Sequence, residues 1–231
     1  RAAAIGHVGE GRKSPRSQVQ SVDYTRQPTY RSRMTTQLSA RPAPIGRAAV
    51  VAAVLAAAAE LFAEKGPAAT SIREVACCSG VNHGLVFRYF GTKDQLVGAT
   101  LEHLGRRVAE LLEQRAPLED IEDALTLQSV VMARALLEGF PIAEYQTTFP
   151  AVALLLDRIA ALHDCEHAAR LAAANAVALQ LGWRLFAPFL RASAGLDHMT
   201  AAEVREAILA ATTQLVDPQQ RWRRDPADQS A

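Results

Sequence analysis

Residues 71–90 read SIREVACCSGVNHGLVFRYF, and this stretch decides the fold. Ser71-Ile72-Arg73-Glu74 has the pattern of a capping box, with Ser71 at the N-cap and Glu74 at the third helical position. The helix it opens is expected to run to about Cys78, and Ser79-Gly80-Val81 then makes a tight turn. Asn82 caps the next helix, which runs to about Phe90 and is broken by Gly91. Two short helices joined by a Gly-containing turn form a helix-turn-helix. Val75, Ala76 and Val81 are spaced to pack the two helices together, and Ala76 is small enough for close approach. The second helix of such a unit enters the major groove, with its N-terminal residues facing base edges. Here these are Asn82, His83 and Gly84. Asn pairs bidentately with adenine and His donates to guanine acceptors, while a Gly lets the backbone come close. Arg88 and Tyr89 follow on the same helix.

Working outward, Val50, Val51, Val54, Leu55, Ala58, Leu61 and Phe62 recur at helical spacing from Arg47 to Glu64, and Lys65-Gly66-Pro67 ends that helix. Downstream, Thr92-Lys93-Asp94-Gln95 is a second capping box and opens a long helix through Leu101, Leu104, Val108 and Leu112. Lys93 therefore stands at a helix N-terminus, where a cation and free N–H groups suit a phosphate. Phe62, Val75, Val86, Phe90, Leu96 and Leu101 read as core, and Phe87 as a further core candidate. Arg73 could equally be an ordinary solvated side chain, whereas for His83 and Lys93 the surrounding motif favours the DNA-binding role over that one.

The run ELFAEKGPAATSIREVACCSGVNHGLVFRYFGTKDQLVGATL, residues 60–101, resembles the DNA-binding domain of the TetR (tetracycline repressor-like) family. The likeness extends from Val51 to about Leu104 and rests on LF-x-x-x-G, T-S-I-R-x-V-A, G-V and F-R-Y-F-x-x-K-x-x-L in order. It implies that Ser71 caps its helix and touches a phosphate, and that Arg73 reaches backbone or base. It implies also that Asn82, His83, Gly84 and Leu85 face the groove and that Tyr89 and Lys93 anchor to phosphates. Phe87 stands where the family often has Tyr, so a phosphate bond through that hydroxyl is missing. The resemblance further implies dimerisation through the last two helices and a helical ligand-binding domain after Leu104.

The remaining chain is compatible with that. The whole has 231 residues, 49% hydrophobic, 21% charged and 6% aromatic, and is rich in Ala. Such a mixture favours helix over sheet. Helices are expected at about 118–138, after Pro141, and at about 150–162, 166–191 and 200–216, with Thr200-Ala201-Ala202-Glu203 a third capping box and Pro188 a kink or end. The expected architecture is all-α: a three-helix N-terminal helix-turn-helix domain over 45–104 and a C-terminal helical ligand-binding and dimerisation domain over 105–217. Residues 1–44 read as a disordered basic tail and 218–231 as a flexible tail. Met34 lies shortly before the first helix, which makes residues 1–33 a candidate upstream segment.

Charge is distributed unevenly. Residues 1–47 carry nine Arg/Lys against Glu10 and Asp23, a net +7, whereas residues 98–217 carry nine Arg against sixteen Asp/Glu, a net −7. This suggests that one end meets a polyanion, although a basic tail can also be merely solvated. The longest apolar run, Ala48 to Ala59, has 12 residues, short of the roughly 20 a membrane span needs. No secretory signal is evident, and three cysteines without CxxC spacing suit reduced thiols in the cytoplasm.

The C-terminal half has no Gly-rich phosphate loop, nucleophile elbow or HExxH. No enzyme, cofactor or metal is expected. His163-Asp164-Cys165-Glu166-His167 is the exception that would carry a small helical enzyme or metal sensor, but a turn at Asp164-Cys165 would splay the two His. An apolar effector site could draw on Met132, Phe140, Tyr145, Gln146, Phe149 and Trp183, each of which could also be plain core. The expected partners are double-stranded operator DNA, a small-molecule effector and a second copy of the chain. The expected function is a transcriptional regulator, a repressor released from a near-palindromic site.

Overall fold

The computed structural model describes residues 45–217. The expected tails at 1–44 and 218–231, with the candidate upstream segment 1–33, lie outside the described residues. Among those described, the regular elements are all helical. They are α1 (Arg47–Lys65), α2 (Ile72–Ser79), α3 (His83–Phe90), α4 (Lys93–Glu113), α5 (Leu118–Leu137), α6 (Ile142–Tyr145), α7 (Pro150–Ile159), α8 (Glu166–Ser193) and α9 (Ala201–Val216).

Local chemistry sets most of these boundaries. Ser71, Thr92 and Thr200 each form the reciprocal capping box, and Gly66 closes α1 at φ 87°, a backbone conformation open to glycine. Helix α7, which opens at Pro150, is shorter than expected. It ends at Ile159, and Ala160–Leu162 tightens into a 3-10 turn. The last helical turn is often of this tighter kind, and Ala supplies no cap to set the boundary. In α8 the helix survives Pro188 but leaves helical geometry at Phe186 (φ −123°, ψ 15°), the kink that a residue without an N–H imposes.

One core underlies the first four helices. Val54, Ala58 and Phe62 of α1, Val75 of α2, Val86 of α3 and Leu96, Val97 and Leu101 of α4 are buried together. The same cluster takes in Val131 and Ala135 of α5 and Ile142 of α6. The helix-turn-helix is thus continuous with the C-terminal helices through packed side chains, and α4 runs unbroken past residue 104. Phe90 is half-buried against this core. A smaller cluster of Ile159, Ala169, Ala172 and Ala173 joins α7 to α8, with Val216 of α9 against it.

Two glycines let the chain lie along α4. A Cβ on Gly98 would come within 2.5 Å of the Tyr145 carbonyl oxygen, and one on Gly105 within 3.3 Å of Pro150. Between them Glu102 Oε1 accepts hydrogen bonds from the Thr147 N–H (2.6 Å), the Thr147 hydroxyl (2.8 Å) and the Thr148 N–H (3.1 Å). Burial works against the Glu102 charge, but these donors prevail and hold its carboxyl below the usual range. The segment between α6 and α7 is so fastened to the helix that begins at Lys93.

Candidate nucleic-acid interface

The turn between α2 and α3 is a Schellman motif. Gly80 adopts φ 66°, its N–H donates to the Cys77 carbonyl (3.2 Å), and the Val81 N–H donates to the Ala76 carbonyl (3.0 Å). Val81 is buried, which locks the second helix against the first. Asn82 then caps α3, its Oδ1 accepting from the Gly84 N–H at 2.8 Å. A Cβ on Gly84 would lie 3.2 Å from that oxygen, so Gly84 serves the cap as well as leaving an open surface.

Helix α3 divides sharply. Val86 is fully buried, and Leu85, Tyr89 and Phe90 are half-buried against the core. His83, Gly84, Phe87 and Arg88 are exposed, a spacing that places them on one face. The expectation that Phe87 is core is therefore corrected: its side chain is 61% exposed. Val86 and Phe90 are one turn apart on the inner side, and residue 87 falls about 100° away from Val86 at 3.6 residues per turn. Leu85 is drawn partly inward by the same geometry.

Around this face lie the other residues singled out by sequence. Ser71 accepts from the Glu74 N–H at 3.1 Å, and its own N–H donates to Glu74 Oε2 at 2.8 Å. The Glu74 carboxyl is held down to about 2 by the Ser71 N–H first and by Lys65 next, whose Nζ stands 2.9 Å away. Arg73 and Arg88 are exposed and pair with no carboxylate among the described residues. Lys93 Nζ donates to the Ala68 carbonyl at 2.9 Å, which ties the α4 N-terminus to the turn before Ser71. A residue that sequence reasoning misses is Arg47, whose guanidinium stacks 5.7 Å from the Tyr89 ring centroid. The basic run ending at Arg47 is plain in the sequence, but its meeting with α3 depends on a long-range contact.

The other sequence candidates are less concentrated. Met132 and Phe140 pack against the shared core, Gln146 is buried with its amide donating to the Thr148 carbonyl (3.1 Å), Tyr145 and Trp183 are half-buried, and Phe149 is 51% exposed. A surface cleft of about 490 Å³ lies elsewhere, between α7 and the start of α8, with His163, Cys165 and Glu166 in its wall. His163 Nε2 stands 3.0 Å from the Val216 carbonyl. Among the described residues no three His, Cys, Asp or Glu side chains group as metal ligands, so the His163–His167 cluster gains no support from geometry. Among the same residues no helix is long and apolar enough to cross a membrane.

Comparison with known proteins agrees with this geometry. Residues 54–100 match the profile of the bacterial regulatory proteins, tetR family. The chain is 54% identical over 178 residues, 77% of its length and 95% of theirs, to three mycobacterial proteins. These are the HTH-type transcriptional regulator Mb3439c of Mycobacterium bovis and, from Mycobacterium tuberculosis, the HTH-type transcriptional regulator MT3513 and the HTH-type transcriptional repressor Rv3405c. With a helix-turn-helix of matching sequence, an all-helical fold and relatives of this identity over most of its length, the chain belongs to the tetR family of bacterial regulatory proteins.

Proposed function

We propose that the protein is a repressor that binds a near-palindromic operator as a homodimer and is released by a small-molecule effector. The observation that carries the DNA reading is the exposed face of α3, where His83, Gly84, Phe87 and Arg88 stand together on a helix fixed from behind by Val86. His83 reads a base edge, and Phe87 offers an apolar ring to a thymine methyl, a recognised major-groove contact. Asn82 Oδ1 caps the helix, and its amide N–H₂ remains the group for a base acceptor. Ser71, Arg73, Arg88, Tyr89 and Lys93 contact the phosphates on either side, with Arg47 beside Tyr89. Leu85 lines the margin of the groove contact. The repressor named among the mycobacterial relatives supports the sign of regulation.

Dimerisation is supported by apolar side chains on the last two helices. Leu171, Phe186 and Phe189 of α8 and Leu209 of α9 are all about half exposed or more. Such a surface is costly in water and suits a two-fold contact between copies. Residues 45–104 act as the DNA-binding part and 105–217 as the effector and dimer part, with α4 shared between them. Met132, Phe140, Tyr145, Gln146, Phe149 and Trp183 remain the candidate effector contacts. Three exposed free cysteines suit the reducing cytoplasm, where the DNA is.

Sedimentation of the full chain with a labelled duplex tests this reading. A complex of two chains per duplex is expected. One chain per duplex at micromolar protein would refute the dimer, and no complex would refute DNA binding.

A further inference from the structure

Glu138 follows the last residue of α5, far in sequence from the DNA-binding helices, yet its side chain reaches the turn between α1 and α2. Glu138 Oε2 accepts a hydrogen bond from the Ala68 N–H at 2.6 Å, across 70 residues of chain. On the same residue the Ala68 carbonyl accepts from Lys93 Nζ at 2.9 Å. The Lys93 ammonium in turn lies 5.7 Å from the ring centroid of Phe140, two residues beyond Glu138. Both main-chain polar groups of Ala68 are thus held by side chains, one from the end of α5 and one from the start of α4. The fit is close. A Cβ on Gly66 would come within 1.8 Å of Glu138 Oε1, and Gly66 has φ +87°.

We infer that Glu138 is a positioning residue for DNA binding, setting the angle at which α2 and α3 are presented. This rests on the DNA-binding reading above. The physical argument is one of leverage. Helices α2 and α3 have 8 residues each, and α2 begins four residues after Ala68. A hydrogen bond donated by a backbone N–H to a carboxylate is among the stronger kinds. Without it the turn gains freedom, and a fraction of molecules presents the two recognition helices at a spacing the operator does not accept. Apparent affinity falls in proportion to the competent fraction that remains. The acceptor of this hydrogen bond stands at the end of α5, so the C-terminal half adds one carboxylate to the packed side chains that already join it to the reading head.

The test uses the full chain, a duplex carrying the two-fold-symmetric site recovered by selection from random duplex DNA, and a duplex carrying one half of that site. Glu138→Ala should bind the full operator about tenfold more weakly. On the single half-site, which makes no demand on spacing, it should match the wild type within about twofold. Glu138→Gln keeps an acceptor oxygen and should retain most of the affinity. Thermal melting of the exposed-site variant Glu138→Ala should stay near the wild type. An unchanged affinity for the full operator overturns the proposal. So does an equal loss on both duplexes, which marks a local fault in the reading head, or an equal loss in Glu138→Gln. If the wild type itself binds no duplex, the DNA-binding reading fails and this inference with it, an outcome distinct from a wild type that binds and a variant that binds as well.

Discussion

Replacing Phe87 by Ala should separate DNA recognition from folding at one residue. A Phe side chain carries about 200 Å² of surface, and with 61% of it exposed about 120 Å² is available to a partner. Full burial at about 25 cal/mol per Å² would contribute about 3 kcal/mol. A groove contact covers one side of the ring, so about 1.5 kcal/mol per recognition helix is the working figure, within the range of specific base contacts. That is about a tenfold loss on one half-site and about a hundredfold for a dimer engaging two. Its neighbour Val86 is 0% exposed, and Val86→Ala should instead destabilise the fold by about 2 kcal/mol through reduced burial and a cavity. Fluorescence anisotropy with the operator and thermal melting measure the two effects separately. Uracil in place of thymine removes the methyl group, so at the contacted position it should weaken the wild type and leave Phe87→Ala little affected. If Phe87→Ala keeps full operator affinity, or melts as early as Val86→Ala, the division of α3 into a reading face and a core face is wrong.

Three further outcomes are expected. Lys93→Ala should weaken binding to all sequences and lower the salt slope by about one for each phosphate it no longer neutralises, whereas His83→Ala should relax base preference at a cost of about 1–3 kcal/mol, as titrations at several salt concentrations with operator and random duplex would show. Glu74 has a folded carboxyl value of about 2 against an ordinary 4.5, so the unfolded chain binds its proton first on acidification. Its stabilising contribution is complete above about pH 4.5 and is lost as the pH falls toward about 2, and urea melts across that window should show Glu74→Gln converging on the wild type. A small, largely apolar effector should lower operator affinity by about 5- to 150-fold, and operator DNA must weaken effector binding by the same factor; calorimetry of effector binding with and without DNA checks the reciprocity.

The helix-turn-helix is legible in the sequence because its signals are local. Capping boxes, the glycine of the Schellman turn and the apolar spacing of α1 all act within a few residues, and the structure reproduces them at Ser71, Gly80, Thr92 and Thr200. Phe87 misleads because its residue type suggests core while its position does not: a short helix with Val86 and Phe90 inside leaves residue 87 outside. The close approach along α4 is written as a seven-residue spacing of Gly98 and Gly105 on one face, a signal present in the sequence but without its partner, the segment from Tyr145 to Pro150. Glu138 reads as the end of a helix, and nothing local shows that its carboxylate meets a turn 70 residues earlier. Pairings of that range depend on how helices stack, which short-range spacing does not encode.

Selection of bound sequences from random duplex DNA with the full-length protein tests the central claim most directly. The account predicts enrichment of one two-fold-symmetric site, with half-site centres about 34–36 Å apart or somewhat more. Recovery of unrelated sequences, bound no more tightly than random duplex, would contradict it.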